Sequence, residues 1–408
     1  MSGRLNRARR AAAISAIAVE EGAHLEDVLA EEAPEQDPDR SLAWFLGYGI
    51  QRRRGQIDAA LRAHLKQPLE GLEAPVRAAL RLGAFELLFA RTGRHAAVHQ
   101  AVEVIKSLRL ARASGLVNAV LRRVQPGGAE GADAVNAPAW VHARWSARYG
   151  VQAAEAWLID ASEPPPLFVV ARGDADALAA SLSDVATVHT TPAAGVLRLD
   201  RVSGPIDQLP GFDDGAFWVQ DLSSVRVADL VGAKPGMKVL DACAAPGGKS
   251  FRMAAQGATV FAADRSRDRL ALMRGSVERL GLDIRLRTHD WSEGSLDGDH
   301  RFDAVLVDSP CSAIGTLRRH PEVKWRRQLV DVLSMPPTQR AILDAASEHV
   351  ASGGCLVYAV CSPEPEEGKG IVESFLAAHS EFRQTDALHM APPEQGEDAF
   401  FAARLERS

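Results

Sequence analysis

The chain reads as a multidomain protein with an all-helical amino-terminal part, a small α/β unit and a carboxyl-terminal α/β domain of Rossmann-like, mostly parallel build. Three observations predict this. Residues 4–124 carry apolar positions at helical period with few β-branched runs; a stretch rich in Gly, Pro and Ala follows; and from about residue 217 short apolar runs alternate with helical stretches. At 408 residues the chain exceeds one core of ordinary size, so two or three domains are expected.

Within residues 1–125, segments such as "LEAPVRAALRLGAFELLFA" and "HAAVHQAVEVIKSLRLARASGLVNAVLRRV" place apolar residues three and four apart, as helices packed on a shared core require. "QPGGAEGADAVNAP" lacks that period and reads as a linker, residues 126–138. Residues 139–216 open with a Trp-containing helix, "AWVHARWSARYG". They continue with the strand-like "PPPLFVVAR" and "GVLRLD" on either side of the helix-like "DADALAASLSD". From 217 to 408 the candidate strands are "KVLDAC", "TVFAAD", "IRLRTHD", "FDAVLVD" and "CLVYAVC". Strands alternating with helices imply right-handed crossovers and a parallel sheet, with ligands at the carboxyl ends of the strands.

Composition narrows the class. With 46% hydrophobic and 25% charged residues, and no apolar run near the roughly 20 residues a membrane helix needs, a soluble protein without a membrane partner is expected. The basic start "MSGRLNRARRAAAISAIAV" runs into Glu20 and Glu21 and a continuing helical pattern, which argues against a targeting peptide. Four cysteines, Cys243, Cys311, Cys355 and Cys361, are too few for a disulfide framework and lack C-x-x-C spacing for zinc, so no metal is expected and a cytoplasmic, monomeric protein fits. The net charge of −6 divides unevenly: residues 1–125 hold 19 Lys/Arg against 14 Asp/Glu, and the remainder 28 against 39. The basic first part suggests an anionic partner, with an ordinary solvated surface as the alternative.

"DACAAPGGKS", Asp241 to Ser250, fits neither the P-loop nor the dinucleotide fingerprint, since Gly247 and Gly248 are adjacent. Its setting is a strand, a turn and a helix start. The glycine pair lets backbone approach a ligand, and a helix start offers N–H groups to a carboxylate as readily as to a phosphate. Asp264 ends the second strand about 20 residues on, where a carboxylate accepts from both hydroxyls of a ribose; a capping aspartate is the alternative. A nucleoside carrying an amino acid matches loop and aspartate together. Asp290, Asp308 and Cys361 end the third, fourth and fifth strands, and Cys311 follows Asp308-Ser309-Pro310 in a turn that holds a carboxylate and a thiol side by side. Cys355, inside an apolar run, reads as a small hydrophobe; for Cys311 and Cys361, position alone leaves catalysis and inert burial both open.

The set "DACAAPGGKS", "DSPCSAIGTLRRHPEVKW" and "YAVCSPEPEEG", with the closing "AFFAARLER", resembles the S-adenosylmethionine-dependent RNA cytosine C5 methyltransferases, the Sun family. The nearest likeness is to its bacterial branch acting on small-subunit (16S) ribosomal RNA. The helical segment from Ala97 to Val124 is similar to the RNA-binding domain shared with the antitermination factor NusB. This resemblance implies a NusB-like RNA-binding domain, a small α/β RNA-recognition region and a class I methyltransferase domain, with S-adenosylmethionine as cofactor and RNA as partner. By position, Cys243, Ala244, Ala245, Pro246, Gly247, Gly248 and Lys249 would bind the cofactor's methionine part, Asp264 its ribose and Asp290 its adenine surroundings. Asp308 would lie between cofactor and base; Cys361 corresponds to the catalytic cysteine and Cys311 to the cysteine of product release. The chain departs from the family at Val360 and Ser250, where threonine is usual, at Ser309 for alanine and Ala313 for glycine, and in "FVVAR", where an Arg-x-Asn strand is usual.

Two cysteines make physical sense for such a reaction. Carbon 5 of cytosine is a weak nucleophile, and a thiolate added at carbon 6 makes it enamine-like; the carbon 5 proton and the thiol must then leave, which needs a second polar group. "TLRRHPEVKWRR" supplies Arg318, Arg319, Lys324, Arg326 and Arg327 beside His320 and Trp325, charge and stacking surface suited to RNA, with an amphipathic solvent face as the alternative. Transfer RNA is the alternative substrate. A non-catalytic RNA-binding adaptor is the alternative function, although an adaptor has no reason to keep both cysteines and the loop.

Overall fold

The computed structural model describes residues 6–35, 38–125 and 136–408; most of the expected linker, 126–135, and the first five residues of the basic start lie outside the described residues. The chain forms two compact units, one of Met1–Pro164 with Leu317–Gln328, the other of Pro165–Thr316 with Leu329–Ser408.

The first unit is helical: α1 (Arg7–Glu20), α2 (Leu25–Glu32), α3 (Asp39–Arg52), α4 (Arg54–Arg62), α5 (Ala74–Leu88), α6 (Arg94–Ser107), α7 (Ser114–Leu121), α8 (Ala139–Tyr149) and α9 (Val151–Asp160). Helix α5, "APVRAALRLGAFELL", is buried along most of its length because small and aliphatic residues cover nearly all its faces. Glycines admit its neighbours: a Cβ at Gly83 would come 2.3 Å from Leu121, and one at Gly49 2.1 Å from the Phe85 ring. The charges that α5 buries are paired. Arg81 donates to both oxygens of Asp58 at 2.7 and 2.9 Å and to Glu20, and Glu86 meets Arg9 at 2.6 Å. Helices α8 and α9 pack through Trp145 stacked on Trp157, 3.8 Å between ring centroids.

The second unit holds two sheets. The smaller is antiparallel in the order β2-β3-β1-β4, from β1 (Leu167–Ala171), β2 (Thr187–Thr190), β3 (Val196–Asp200) and β4 (Phe217–Val219), with α10 (Ala175–Leu182) after β1. It sits beside the larger sheet through Arg279, whose guanidinium stacks 4.0 Å from the Phe212 ring and donates to the carbonyls of Phe212 and Phe217.

The larger sheet contains β5 (Lys238–Asp241), β6 (Thr259–Asp264), β7 (Ile284–Thr288), β8 (Phe302–Asp308), β9 (Val350–Val360), β10 (Phe382–Met390) and β11 (Phe400–Arg407), in the order β10-β11-β9-β8-β5-β6-β7. Its helices are α11 (Leu222–Leu230), α12 (Gly248–Ala255) and α13 (Arg267–Leu280). Beyond the segment 317–328, whose one-turn helix α14 (Val323–Arg326) belongs to the first unit, come α15 (Leu329–Ser334), α16 (Pro336–Ser347) and α17 (Lys369–Ala378). Strands β5 to β9 pair in parallel, while β11 runs antiparallel to both β9 and β10. The strand order reverses at β5, so the loops leaving β5 and β8 diverge and open a crevice at the carboxyl end of the sheet. No helix among the described residues is long and apolar enough to cross a membrane.

Candidate active site

Strands β8 and β9 deliver the two cysteines. Asp308 pairs with Ala359 across the parallel ladder, so the turn after β8 and the residue after β9 emerge side by side. Cys311 Sγ and Cys361 Sγ lie 3.3 Å apart, within hydrogen-bonding distance for sulfur. The Cys311 thiol is held well above its ordinary value, first by that hydrogen bond, then by burial and the charge of Cys361, which keeps its proton in place. Gly315 fixes the approach. Its N–H donates to the Cys361 carbonyl at 3.0 Å and its carbonyl accepts from Ala399 at 2.9 Å; a Cβ there would lie 2.8 Å from the first oxygen and 2.1 Å from that of Ala399. Gln339 on α16 donates to the Pro310 carbonyl at 3.0 Å and holds the Ser309-Pro310-Cys311 turn.

The Gly-rich loop joins β5 to α12. Gly247 has φ +114°, a left-handed conformation that leaves no room for a side chain: a Cβ would meet the Phe251 ring at 2.4 Å. Lys249 Nζ donates to Asp308 Oδ2 at 2.5 Å, joining the loop to the end of β8. Burial works against its charge, yet Asp308, then Asp241 and Cys361, hold the Lys249 ammonium above its ordinary value. Asp264 uses both carboxylate oxygens within the chain: Oδ2 accepts from Ala245 N at 3.1 Å and Oδ1 from Ser266 N at 2.9 Å. Asp290 accepts from the backbone and hydroxyl of Ser292, which hold its carboxyl below the usual range. Cys243 is half-buried in the core under the loop, where burial pushes its thiol up. Ala244 and Ala245 are buried and Pro246 is exposed.

Asp241, the last residue of β5, is a site residue that the sequence reading misses. It is 1% exposed; Oδ2 accepts from Ser250 Oγ at 2.6 Å, and Oδ1 has no hydrogen-bond partner. Burial pushes its carboxyl up to about 7. Its signal in the sequence is one acid following the apolar Val239 and Leu240 at the end of β5.

Residues 229–406 match the family described as 16S rRNA methyltransferase RsmB/F, and residues 6–126 match the NusB family. Two curated relatives named ribosomal RNA small subunit methyltransferase B are similar over most of their length. That of Sodalis glossinidius is 35% identical, covering 92% of this chain and 91% of its own; that of Thermus thermophilus is 36% identical, covering 92% and 90%. The chain belongs to the RsmB/F family. Solved structures agree on the fold: that of PH0851 has a TM-score of 0.81 at 22% identity over the whole of both chains. That of NSun6 from Pyrococcus horikoshii with SFG has 0.60 at 18% identity, over 66% of this chain and 98% of the other.

In this RsmB/F chain the segment after Cys311 does not project as a free basic strip; residues 317–328 pack within the helical unit. Lys324 is 1% exposed, and burial, with Arg52 and Arg53 nearby, pushes its ammonium down to about 7. Trp325 donates its Nε1–H to the Gln51 carbonyl at 2.8 Å, and Arg54 covers its ring at 5.1 Å. Arg318 pairs with Asp160 at 2.6 Å, and half-buried His320 is pushed down to about 4 by burial and the charge of Arg319. Of the seven residues of this segment expected to suit RNA, Lys324 is enclosed, and Arg318, Arg319, His320, Trp325, Arg326 and Arg327 are partly covered. Charge and aromatic content are legible in the sequence; which body the segment packs on is not.

Proposed function

We propose that this chain is an S-adenosylmethionine-dependent methyltransferase of the cytoplasm that methylates carbon 5 of a cytosine in small-subunit (16S) ribosomal RNA, with Cys361 bonded transiently to carbon 6. The observation that carries the reading is the thiol pair at 3.3 Å beside the Lys249–Asp308 ion pair, on the ends of adjacent strands. The curated relatives are named as methyltransferases of small-subunit ribosomal RNA, which supports the substrate.

The loop suits the cofactor. Asp241 Oδ1, buried without a partner, is an acceptor for the methionine ammonium, and Gly247 and Gly248 bring backbone close, where a Cβ at Gly247 would collide with Phe251 and one at Gly248 would lie 3.2 Å from Gln220. Asp264 retains lone pairs for ribose hydroxyls beyond the two backbone donors it already accepts from, and Asp290 flanks the adenine position. Bound there, S-adenosylmethionine supplies an electrophilic methyl group.

Cys361, its proton lost to water, adds Sγ to carbon 6; the carbon 5–carbon 6 double bond opens and its electron pair enriches carbon 5. Asp308, held by Lys249, presents a carboxylate to the exocyclic amine of the cytosine. Cys311 changes role as the reaction advances. While Cys361 is free, their hydrogen bond is first among the influences that keep Cys311 protonated, followed by burial and the charge of Cys361; bonded to carbon, Cys361 Sγ no longer carries that charge. With its own proton passed to water, the Cys311 thiolate takes the proton on carbon 5; that C–H pair forms the carbon 5–carbon 6 double bond, and the Cys361–carbon bond breaks with its pair returning to sulfur. The base must leave its stack to reach the thiols.

The helical unit offers a surface for RNA. Between α6 and α7 lies a cleft of about 690 Å³ whose walls include Arg94, His95, His99, Lys106 and Arg122 over Val98 and Val102. Cations around an apolar floor match a strand of phosphates with stacked bases.

The cysteines give the test. Cys361→Ala abolishes methylation and forms no covalent complex, whereas Cys311→Ala stalls after methyl transfer and accumulates a protein–RNA adduct on denaturing gels. An adduct from Cys361→Ala and none from Cys311→Ala reverses the two roles; methylation intact in both removes cysteine catalysis.

A further inference from the structure

The Cys311 and Cys361 loops leave different strands, and neither loop by itself fixes the distance between the thiols. The residue after each cysteine is a serine, and one buried side chain touches both serines. Glu367, just before α17, is 0% exposed. Its Oε1 accepts from Ser312 N at 2.6 Å; its Oε2 accepts from Ser312 Oγ at 2.6 Å and also from Ser362 Oγ. The hydroxyls have a fixed sense. Ile314 N donates to Ser312 Oγ at 3.4 Å and Glu364 N to Ser362 Oγ at 3.2 Å, so both hydroxyl hydrogens are directed at the carboxylate. The backbone of Glu367 is held as well, since Tyr358 on β9 donates its hydroxyl to the Glu367 carbonyl at 2.6 Å. Tyr358 lies on the strand that delivers Cys361.

We propose that Glu367 is a positioning residue that ties the Cys311 and Cys361 loops into one body and so sets the thiol–thiol distance. The inference rests on the covalent reading above for its catalytic consequence, while the tie itself concerns loop geometry alone. A carboxylate suits the place because all three of its neighbours are donors. Glutamine would turn an N–H₂ group toward either the Ser312 N–H or the two hydroxyls, leaving hydrogens without acceptors. Aspartate keeps the acceptors but draws them back by one methylene.

The test uses the full-length chain and two readouts. The first is the rate of Cys311–Cys361 disulfide formation with diamide, which takes up the two thiol protons and two electrons, followed by mass spectrometry of the linked peptides; it needs no RNA. The second is kcat and KM for methylation. In Glu367→Gln both the disulfide rate and kcat should fall by roughly tenfold or more, as a displacement on the order of 1 Å at reacting groups produces. KM for S-adenosylmethionine should hold, because the loop Cys243–Lys249 makes none of these contacts. Glu367→Asp should recover part of both losses. If Glu367→Gln does not fold, Ser362→Ala removes a single tie and should show the same pair of effects in smaller measure. A folded Glu367→Gln or Ser362→Ala protein with wild-type disulfide rate and wild-type kcat overturns the proposal. A slowed disulfide in the variant, combined with a wild-type chain inactive on ribosomal RNA, would support the tie and count against the proposed substrate instead.

Discussion

At the scale of single residues, the proposed contact between Asp241 and the methionine ammonium makes cofactor binding a matter of pH. Its carboxyl is raised to about 7, mainly by burial and in spite of the Ser250 hydroxyl and the Lys249 charge, so it is largely protonated below that pH. A protonated acid is a poor partner for an ammonium group. Affinity for S-adenosylmethionine should therefore rise as pH increases through about 7, with a proton released on binding, and calorimetry in buffers of different ionisation heat would count it. Asp241→Asn should bind roughly tenfold or more weakly at pH 8 and lose the pH dependence. A wild-type affinity that stays flat from roughly pH 6 to 7.5, below the usual range of an α-amino group, would exclude Asp241 as the ammonium's partner. The sequence makes Cys311, Cys361, Asp308 and the glycine loop visible because each breaks a pattern at a strand end. Glu367 is hidden among the acids of "PEPEEG", where only the folded turn tells one carboxylate from its neighbours.

At the scale of elements, strands β5, β6, β8 and β9 are readable from buried apolar residues and β7, "IRLRT", from its alternation, whereas the antiparallel strands at the far edge are not. Strand β10, "FRQTDALHM", is mostly polar because it closes the sheet, and "FFAARLER" has no evident place in a sheet until its pairing with β9 and β10 is known. Strands β2 and β4, of four and three residues, are too short for any alternation to emerge. The segment 317–328 misleads for a different reason: lysine is ordinarily solvated, and nothing local says that Lys324 is enclosed. Its enclosure makes a stability prediction. The folded pKa of about 7 lies below the ordinary 10.5, so the cost of burying the charge is present in full below pH 7 and is relieved as pH rises from about 7 toward 10.5. Lys324→Met should stabilise the protein by about 1–4 kcal/mol at pH 7, and the advantage should shrink toward pH 10 in thermal melts. A variant no more stable than wild type at pH 7 would mean the amine has partners that offset its burial.

At the scale of the whole molecule, charge is divided between a helical unit proposed to bind RNA and an acidic catalytic one. Removing residues 1–125 is a poor test of that division, because it would strip Gln51 and Arg54 from Trp325. Reversing charge at the α6–α7 cleft is cleaner: Arg94→Glu with Lys106→Glu should weaken RNA binding and flatten its salt dependence by about 0.7 to 0.9 in slope for each phosphate no longer neutralised. Unchanged slopes would move RNA affinity elsewhere. The helical unit is also discontinuous, made of residues up to 164 and then 317–328. A nascent chain therefore presents helices α1 to α9 to its surroundings before the piece that covers Gln51 and Arg54 has been translated. At about 5–20 residues per second the interval is on the order of ten to thirty seconds. During it the earliest part of the protein to be made is not yet finished, and it depends for completion on translation continuing well into the catalytic domain.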